Sequence, residues 1–204
     1  MERRPIATRS AGWAQALART LAVSPVTPNQ ISVASIVFAA GGAAALLWLP
    51  GWPGLLLCAA GIQLRLLCNL LDGMVAVEGG KQSPLGALYN ELPDRIADSL
   101  FLVALGHAGG LPWLGWLGAL LAALTAYIRV MGGALGLAQD FRGPLAKPQR
   151  MAVMTAACLL AIIESLVWHS LHVLTLAAVV IALGTALTCV TRSRAIAAQL
   201  AGPR

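Results

Sequence analysis

Six stretches of almost unbroken apolar sequence divide the chain, over approximately residues 31–49, 54–76, 85–108, 111–135, 149–168 and 170–190. A helix needs ~20 apolar residues to cross the ~30 Å hydrocarbon core of a bilayer. The pattern therefore predicts an all-α, polytopic membrane protein of six transmembrane helices. Helix-breaking punctuation separates the stretches: Leu49-Pro50-Gly51-Trp52-Pro53-Gly54, Gly109-Gly110-Leu111-Pro112 and the segment Trp168–His172. Ahead of the first span, Trp13, Leu17 and Leu21 recur at helical spacing with Arg9, Gln15 and Arg19 off that stripe, which predicts an amphipathic helix lying in the inner interface. This opening segment is short in apolar content and lacks an A-x-A cleavage pattern, so it does not read as a signal peptide. The expected organisation is a single membrane domain with an interfacial segment 1–30, a six-helix bundle 31–191 and a cytoplasmic tail 192–204. No linker, low-complexity tract or internal repeat interrupts it.

Composition agrees with the pattern. Hydrophobic residues make up 58% of the chain and charged residues 11%, where soluble domains carry roughly a quarter charged residues. The few cations are placed unevenly. Arg3, Arg4, Arg9 and Arg19 precede the first span, Lys81 follows the second, Arg142, Lys147 and Arg150 lie between the fourth and fifth, and Arg192, Arg194 and Arg204 follow the sixth. The other three connections carry no Lys or Arg. By the positive-inside rule both termini and the two basic connections are cytoplasmic, and the expected location is a bacterial inner membrane. The net charge of +6 then reads as attraction to anionic lipid headgroups, not to nucleic acid. Cys58, Cys68, Cys158 and Cys189 sit inside apolar spans without a C-x-x-C pair and read as small hydrophobes. His107, His169 and His172 fall at the outer ends of spans and read as interfacial residues, and Glu164, near the same end, reads as structural.

Ionisable residues inside a membrane are costly and mark function by default. Here they converge on one region. Arg65, Asn69, Asp72 and Ala76 share a stripe of the second span, and Gly86, Asn90, Asp94 and Asp98 recur every fourth residue of the third. Ser83-Pro84 reads as the helix start between them, with Ser83 as N-cap. Antiparallel pairing at equal depth sets Asp72 opposite Asn90, Asn69 opposite Asp94, and Arg65 opposite Asp98 as an ion pair. Oxygen ligands at this density suit a hard divalent cation, and Gly73 and Gly86 would let a phosphate approach the backbone. The alternative is a polar patch that pairs helices without a ligand.

These residues resemble the CDP-alcohol phosphotransferase family, whose signature is D-x2-D-G-x2-A-R-x8-G-x3-D-x3-D. The matching positions are Asn69, Asp72, Gly73, Ala76, Val77, Gly86, Asn90 and Asp94, all at the family's spacing. Six membrane helices, cytoplasmic termini and the entry Thr27-Pro28-Asn29-Gln30-Ile31 also fit the family. The resemblance implies transfer of a phosphatidyl or related group from a CDP-linked lipid, such as CDP-diacylglycerol, to an alcohol, with release of CMP. It implies metal ligation by Asp72, Asp94, Asn69 and Asn90, with Asp94 also the general base. Gly73, Ala76, Ser83 and Gly86 fall where the family contacts the CDP-lipid, and a homodimer is the family's usual assembly. Asn69, Asn90 and Val77 replace two bridging aspartates and the signature arginine. One divalent ion (Mg²⁺ or Mn²⁺) is therefore expected instead of two, with Lys81, Arg129, Lys147 and Arg150 available to hold the donor's diphosphate. Arg129, buried in apolar sequence, is alternatively expected to pair with Asp98. Two other readings stay open: an inactive relative that binds nucleotide-lipid or a partner, and a small transporter or channel.

Overall fold

The computed structural model describes residues 11–202, and these form seven α-helices with no strand among them. They are α1 (Gly12–Val23), α2 (Pro28–Trp48), α3 (Trp52–Glu78), α4 (Gly86–Ala108), α5 (Pro112–Ala134), α6 (Lys147–Val167) and α7 (His172–Ala201). Six long helices match the six predicted spans. Five are long and apolar enough to cross a membrane: α2, α3, α5, α6 and α7. The exception is α4, because Glu91, Asp94, Arg95 and Asp98 lie in its first half. The chain is an integral membrane protein, and α4 buries Asp94 and Asp98 inside the bundle while Leu88, Leu92 and Ile96 remain exposed.

Start signals are local. Thr27 accepts from the backbone of Gln30 while the Gln30 side chain accepts from Thr27 N, a capping box, with Pro28 in the first turn of α2. Proline also opens α3, α5 and α6. The start of α4 lies later than predicted. Leu85 is its N-cap, without side-chain capping, and Ser83 instead accepts Leu85 N at 3.1 Å in the turn before the helix. At the other end, α7 does not stop at residue 190. Thr191 to Ala201 continue the helix through Arg192 and Arg194, so most of the predicted tail is helical.

Close packing depends on two glycine contacts. A Cβ on Gly42 would lie 3.3 Å from Gly61 Cα, which brings α2 against α3, and one on Gly106 would lie 2.5 Å from Gly115 Cα, which brings α4 against α5. Small residues are the usual means of bringing helix backbones together where no hydrophobic force acts between them. The main core joins Phe101, Leu102 and Leu105 of α4 to Ile62, Met151, Met154, Leu174 and Ile181.

Helix α1 forms where the amphipathic pattern placed it, with a different face inward. Ala14 and Ala18 are fully buried against Cys68, Leu71, Met74 and Val75, whereas Trp13 is 56% exposed and Leu17 is exposed beside it. Trp13 and Leu17 therefore point outward, as an interfacial helix requires, while Leu21 turns partly inward and joins Ala14 and Ala18 in the seat on α3. Arg3, Arg4, Arg9 and Arg204, which contributed to the charge reading, lie outside the described residues.

Candidate active site

The predicted register of α3 against α4 holds at two of its three levels. Arg65 NH2 donates to Asp98 Oδ1 at 2.6 Å, and Asn69 Nδ2 donates to Asp94 Oδ1 at 2.6 Å. Both contacts follow from the same spacing: stripes that advance by three or four residues per turn on antiparallel neighbours meet at equal depth. The third level does not close. Asn90 is exposed and makes no side-chain hydrogen bond among the described residues, while Asp72 turns toward α2. Its Oδ2 accepts from Ser32 Oγ at 2.6 Å and its Oδ1 from Gly73 N at 2.6 Å. The third helix outbids Asn90 because Ser32 faces Asp72 from inside the bundle, whereas Asn90 lies on the first, solvent-facing turns of α4.

Deeper in the bundle, a charge network replaces the single expected pair. Asp98 is buried and shared: Arg65 holds one oxygen, and Arg150 NH2 holds the other at 3.0 Å. Arg150 NH1 also donates to Leu145 O at 2.9 Å, which ties the start of α6 to the cluster. Arg65 spends a single nitrogen on both Asp98 and Asp94, so the two guanidiniums keep donors without acceptors. Arg65 Nε and Nη1 and Arg150 Nε are buried without a hydrogen-bond partner among the described residues.

Asp94 is the most heavily contacted carboxylate. Besides Asn69, its Oδ1 lies 3.3 Å from Arg65 NH2. Its Oδ2 pairs with Lys147 Nζ, which reaches in from the first turn of α6, and lies 3.8 Å from Arg95 NH2. Pro93 immediately precedes it inside α4. Proline lacks the N–H that would bond the carbonyl one turn back, so the helix carries a freed acceptor beside the site.

Arg129 does not reach Asp98. It pairs with Glu91, donates to Gln139 Oε1 at 2.6 Å and lies 5.1 Å from the centroid of the Phe141 ring. It fastens the α5–α6 connection to α4 through Glu91. Lys81 is likewise engaged elsewhere. Its Nζ donates to the carbonyls of Ser24 and of Val26, the latter at 3.0 Å, and closes the α1–α2 link over the end of α3. Of the residues predicted to supply charge near the signature, Lys147 and Arg150 are at the cluster and Lys81 and Arg129 are not. Val77 is exposed. Around Gly86 the space a Cβ would fill is empty, while Ser83 borders it and Asn29 Nδ2 lies 3.5 Å from Ser83 Oγ.

Two participants were not foreseen. Ser32 and its neighbour Ser35 are buried polar residues one turn apart in an apolar span, a pattern that could have marked that face of α2. Arg192, beyond the last predicted span, donates to Arg142 O at 2.8 Å and Thr125 O at 2.7 Å, tying α7 to α5 and to the α5–α6 connection. Glu164 has the structural role expected of it. It accepts from Ser170 Oγ at 2.7 Å, His172 N at 2.8 Å and Val173 N at 2.9 Å, and so caps α7.

This geometry agrees with comparison to known proteins. Over residues 25–202 the chain matches the family model described as CDP-alcohol phosphatidyltransferase. It is 35% identical over 142 residues to archaetidylinositol phosphate synthase of Aeropyrum pernix, a match that spans 69% of this chain and 70% of that protein. The fold is similar to the crystal structure of Mycobacterium tuberculosis phosphatidylinositol phosphate synthase with CDP-DAG bound. That comparison has a TM-score of 0.72 and 22% identity, covering 90% of this chain and 92% of the other. A structure of the same enzyme in complex with manganese and citrate gives a TM-score of 0.72 at 21% identity, covering 90% and 88%. A signature-spaced polar cluster at the α3–α4 contact, on a fold and a sequence both shared with this group, makes the chain a member of the CDP-alcohol phosphatidyltransferase family and a transferase.

Proposed function

We propose that the protein transfers the phosphatidyl or related phospho-alcohol group of a CDP-linked lipid, CDP-diacylglycerol in the simplest case, to an alcohol with release of CMP. The observation that carries this reading is the Asn69–Asp94 contact across α3 and α4, with Asp72 one turn away on α3. The acceptor's hydroxyl oxygen bonds to the phosphorus that bears the lipid, the P–O bond to CMP breaks, and the hydroxyl proton passes to Asp94. Asn69, Arg65 and Lys147 orient the Asp94 carboxylate. Gly73, Ala76, Ser83 and Gly86 border the approach of the donor's diphosphate. Lys147 and Arg150 supply positive charge where the family's arginine is replaced by Val77. An apolar groove of about 430 Å³ between α1, α2 and α3, lined by Ile31, Phe38, Leu64 and Leu71 among others, suits an acyl chain.

Asp72, Asp94, Asn69 and Asn90 would hold a divalent ion. Asn69 presents its amide nitrogen to Asp94, which leaves its oxygen available as a ligand. Two carboxylates with carboxamide oxygens fit one hard ion completed by water and phosphate oxygens. They do not fit a pair. Two divalent ions ~4 Å apart repel with roughly four times the ~4 kcal/mol of unit charges at that distance near a protein surface. No three His, Cys, Asp or Glu side chains converge to screen that repulsion among the described residues. When bound, the ion neutralises the diphosphate and the departing CMP.

The names of the relatives make inositol phosphate the first acceptor to test. The same reading puts the site, both termini and the basic connections on the cytoplasmic side of an inner membrane, in a single domain that pairs as a homodimer. Purified protein with CDP-diacylglycerol and Mg²⁺ should release CMP on addition of inositol phosphate, and less with glycerol phosphate or serine. No CMP with any acceptor, and none after Asn69→Asp with Asn90→Asp, would overturn the reading.

A further inference from the structure

We propose that Lys147 is a cation built into the site, occupying one of two cation positions on Asp94, so that the chain binds one divalent ion beside it. The inference rests on the transferase reading above and deepens it.

The Lys147 Nζ is paired with Asp94 Oδ2, and the two side chains are only 19% and 12% exposed. It approaches from the first turn of α6, a helix that packs on α3, which carries Asp72. Its backbone is held on both sides. Leu145 N donates to Thr188 Oγ1 at 3.1 Å, Arg150 NH1 clamps Leu145 O, and Ala146 is buried. The ammonium is thus a placed group and not a drifting surface lysine. Asn69 and Arg65 hold the opposite oxygen of Asp94, which turns Oδ2 toward the ammonium.

Charge explains the combination. Two carboxylates against one divalent ion and one ammonium leave a single excess positive charge, while a second divalent ion beside the ammonium would leave three. A lysine is a compact point charge with three donors, suited to a carboxylate and a phosphate together. The loss of carboxylate at Asn69 and Asn90 and the gain of the ammonium are therefore two halves of one change. Four carboxylates would balance two ions and the ammonium to the same single excess charge, so it is the position held by the ammonium on Asp94 Oδ2 that should keep the restored carboxylates from taking a second ion.

The test counts Mn²⁺ by electron paramagnetic resonance of the purified protein in detergent, without substrate. Wild type should bind one ion per chain. Lys147→Met should bind that ion at least tenfold more tightly, and Lys147→Arg should leave both number and affinity near wild type. N69D/N90D should still bind one ion, and N69D/N90D/K147M two. Two ions in wild type or in N69D/N90D, unchanged affinity in Lys147→Met, or no ion in any variant would each overturn the inference. The N69D/N90D count decides it even if the Lys147 variants fail to fold. Acceptor-dependent CMP release by a two-ion wild type would sink the lysine's role and leave the transferase reading standing. One ion without CMP release would do the reverse.

Discussion

Arg65 donates to Asp98 at 2.6 Å with both side chains closed to solvent, and Arg150 takes the other oxygen of the same carboxylate at 3.0 Å. The central charge of the bundle is therefore a triad. Removing one partner of a buried ion pair leaves an uncompensated charge and costs ~3–5 kcal/mol. Asp98→Leu strands Arg150 and leaves Arg65 only its 3.3 Å contact with Asp94, and it should lower the melting temperature in detergent more than Arg65→Leu, which leaves Asp98 paired with Arg150. Arg65→Leu with Asp98→Leu should remain unstable because Arg150 is left over, and adding Arg150→Met should recover most of the loss. Equal melting of the single variants would contradict the triad.

Ser32 holds Asp72 from a third helix. Groups that orient a ligating carboxylate commonly govern metal affinity by ~10–100-fold. Ser32→Ala should weaken Mn²⁺ binding by about tenfold while the melting temperature of the metal-free protein changes little. An unchanged Mn²⁺ affinity would show that Gly73 N alone sets the orientation of Asp72.

Glu164 accepts three hydrogen bonds at the start of α7, at the end of the bundle remote from Asp94. Glu164→Ala strips the cap and should lower the melting temperature in detergent. CMP release at low temperature should stay near wild type. A selective loss of activity at unchanged stability would give Glu164 a role in the reaction.

Within the α5–α6 connection, Arg142 holds Asp140 through its backbone N–H and guanidinium, at 2.8 and 3.0 Å. The arginine keeps the Asp140 carboxyl below its ordinary value. A carboxylate depressed in the folded state stabilises above its unfolded pKa of ~3.9 and loses that contribution as pH falls through the lower folded value. Protease nicking of this connection should stay constant from neutral pH down to about 4 and increase below it. In Asp140→Asn the acid-dependent step should be absent.

The proposed orientation has its own measurement. With Cys58, Cys68, Cys158 and Cys189 replaced, single cysteines at Gln82 and Gly136 should resist an impermeant thiol reagent added to intact cells. Labelling of either from outside would reverse the bundle and the site's access with it.

Much of this was legible in the linear pattern. Apolar run length is a direct consequence of bilayer thickness, so six long helices could be counted and, apart from the C-terminal end of α7, bounded within a few residues. The i, i+4 stripes on neighbouring antiparallel helices are geometry that spacing alone encodes, and they placed Arg65 on Asp98 and Asn69 on Asp94. Only tertiary structure could decide which partner wins where several compete. Asp72 had a candidate on α4 and took Ser32 on α2. Arg129 had a candidate in Asp98 and took Glu91, because α6 brought Arg150 to the carboxylate first. Lys147 lies 53 residues from Asp94 in sequence, and its contact depends on where the α5–α6 connection sets the first turn of α6. Period and run length are properties of one helix. The choice of charge partner depends on how several helices share a volume closed to water, where every ion must find a counter-ion among whatever the packing brings near.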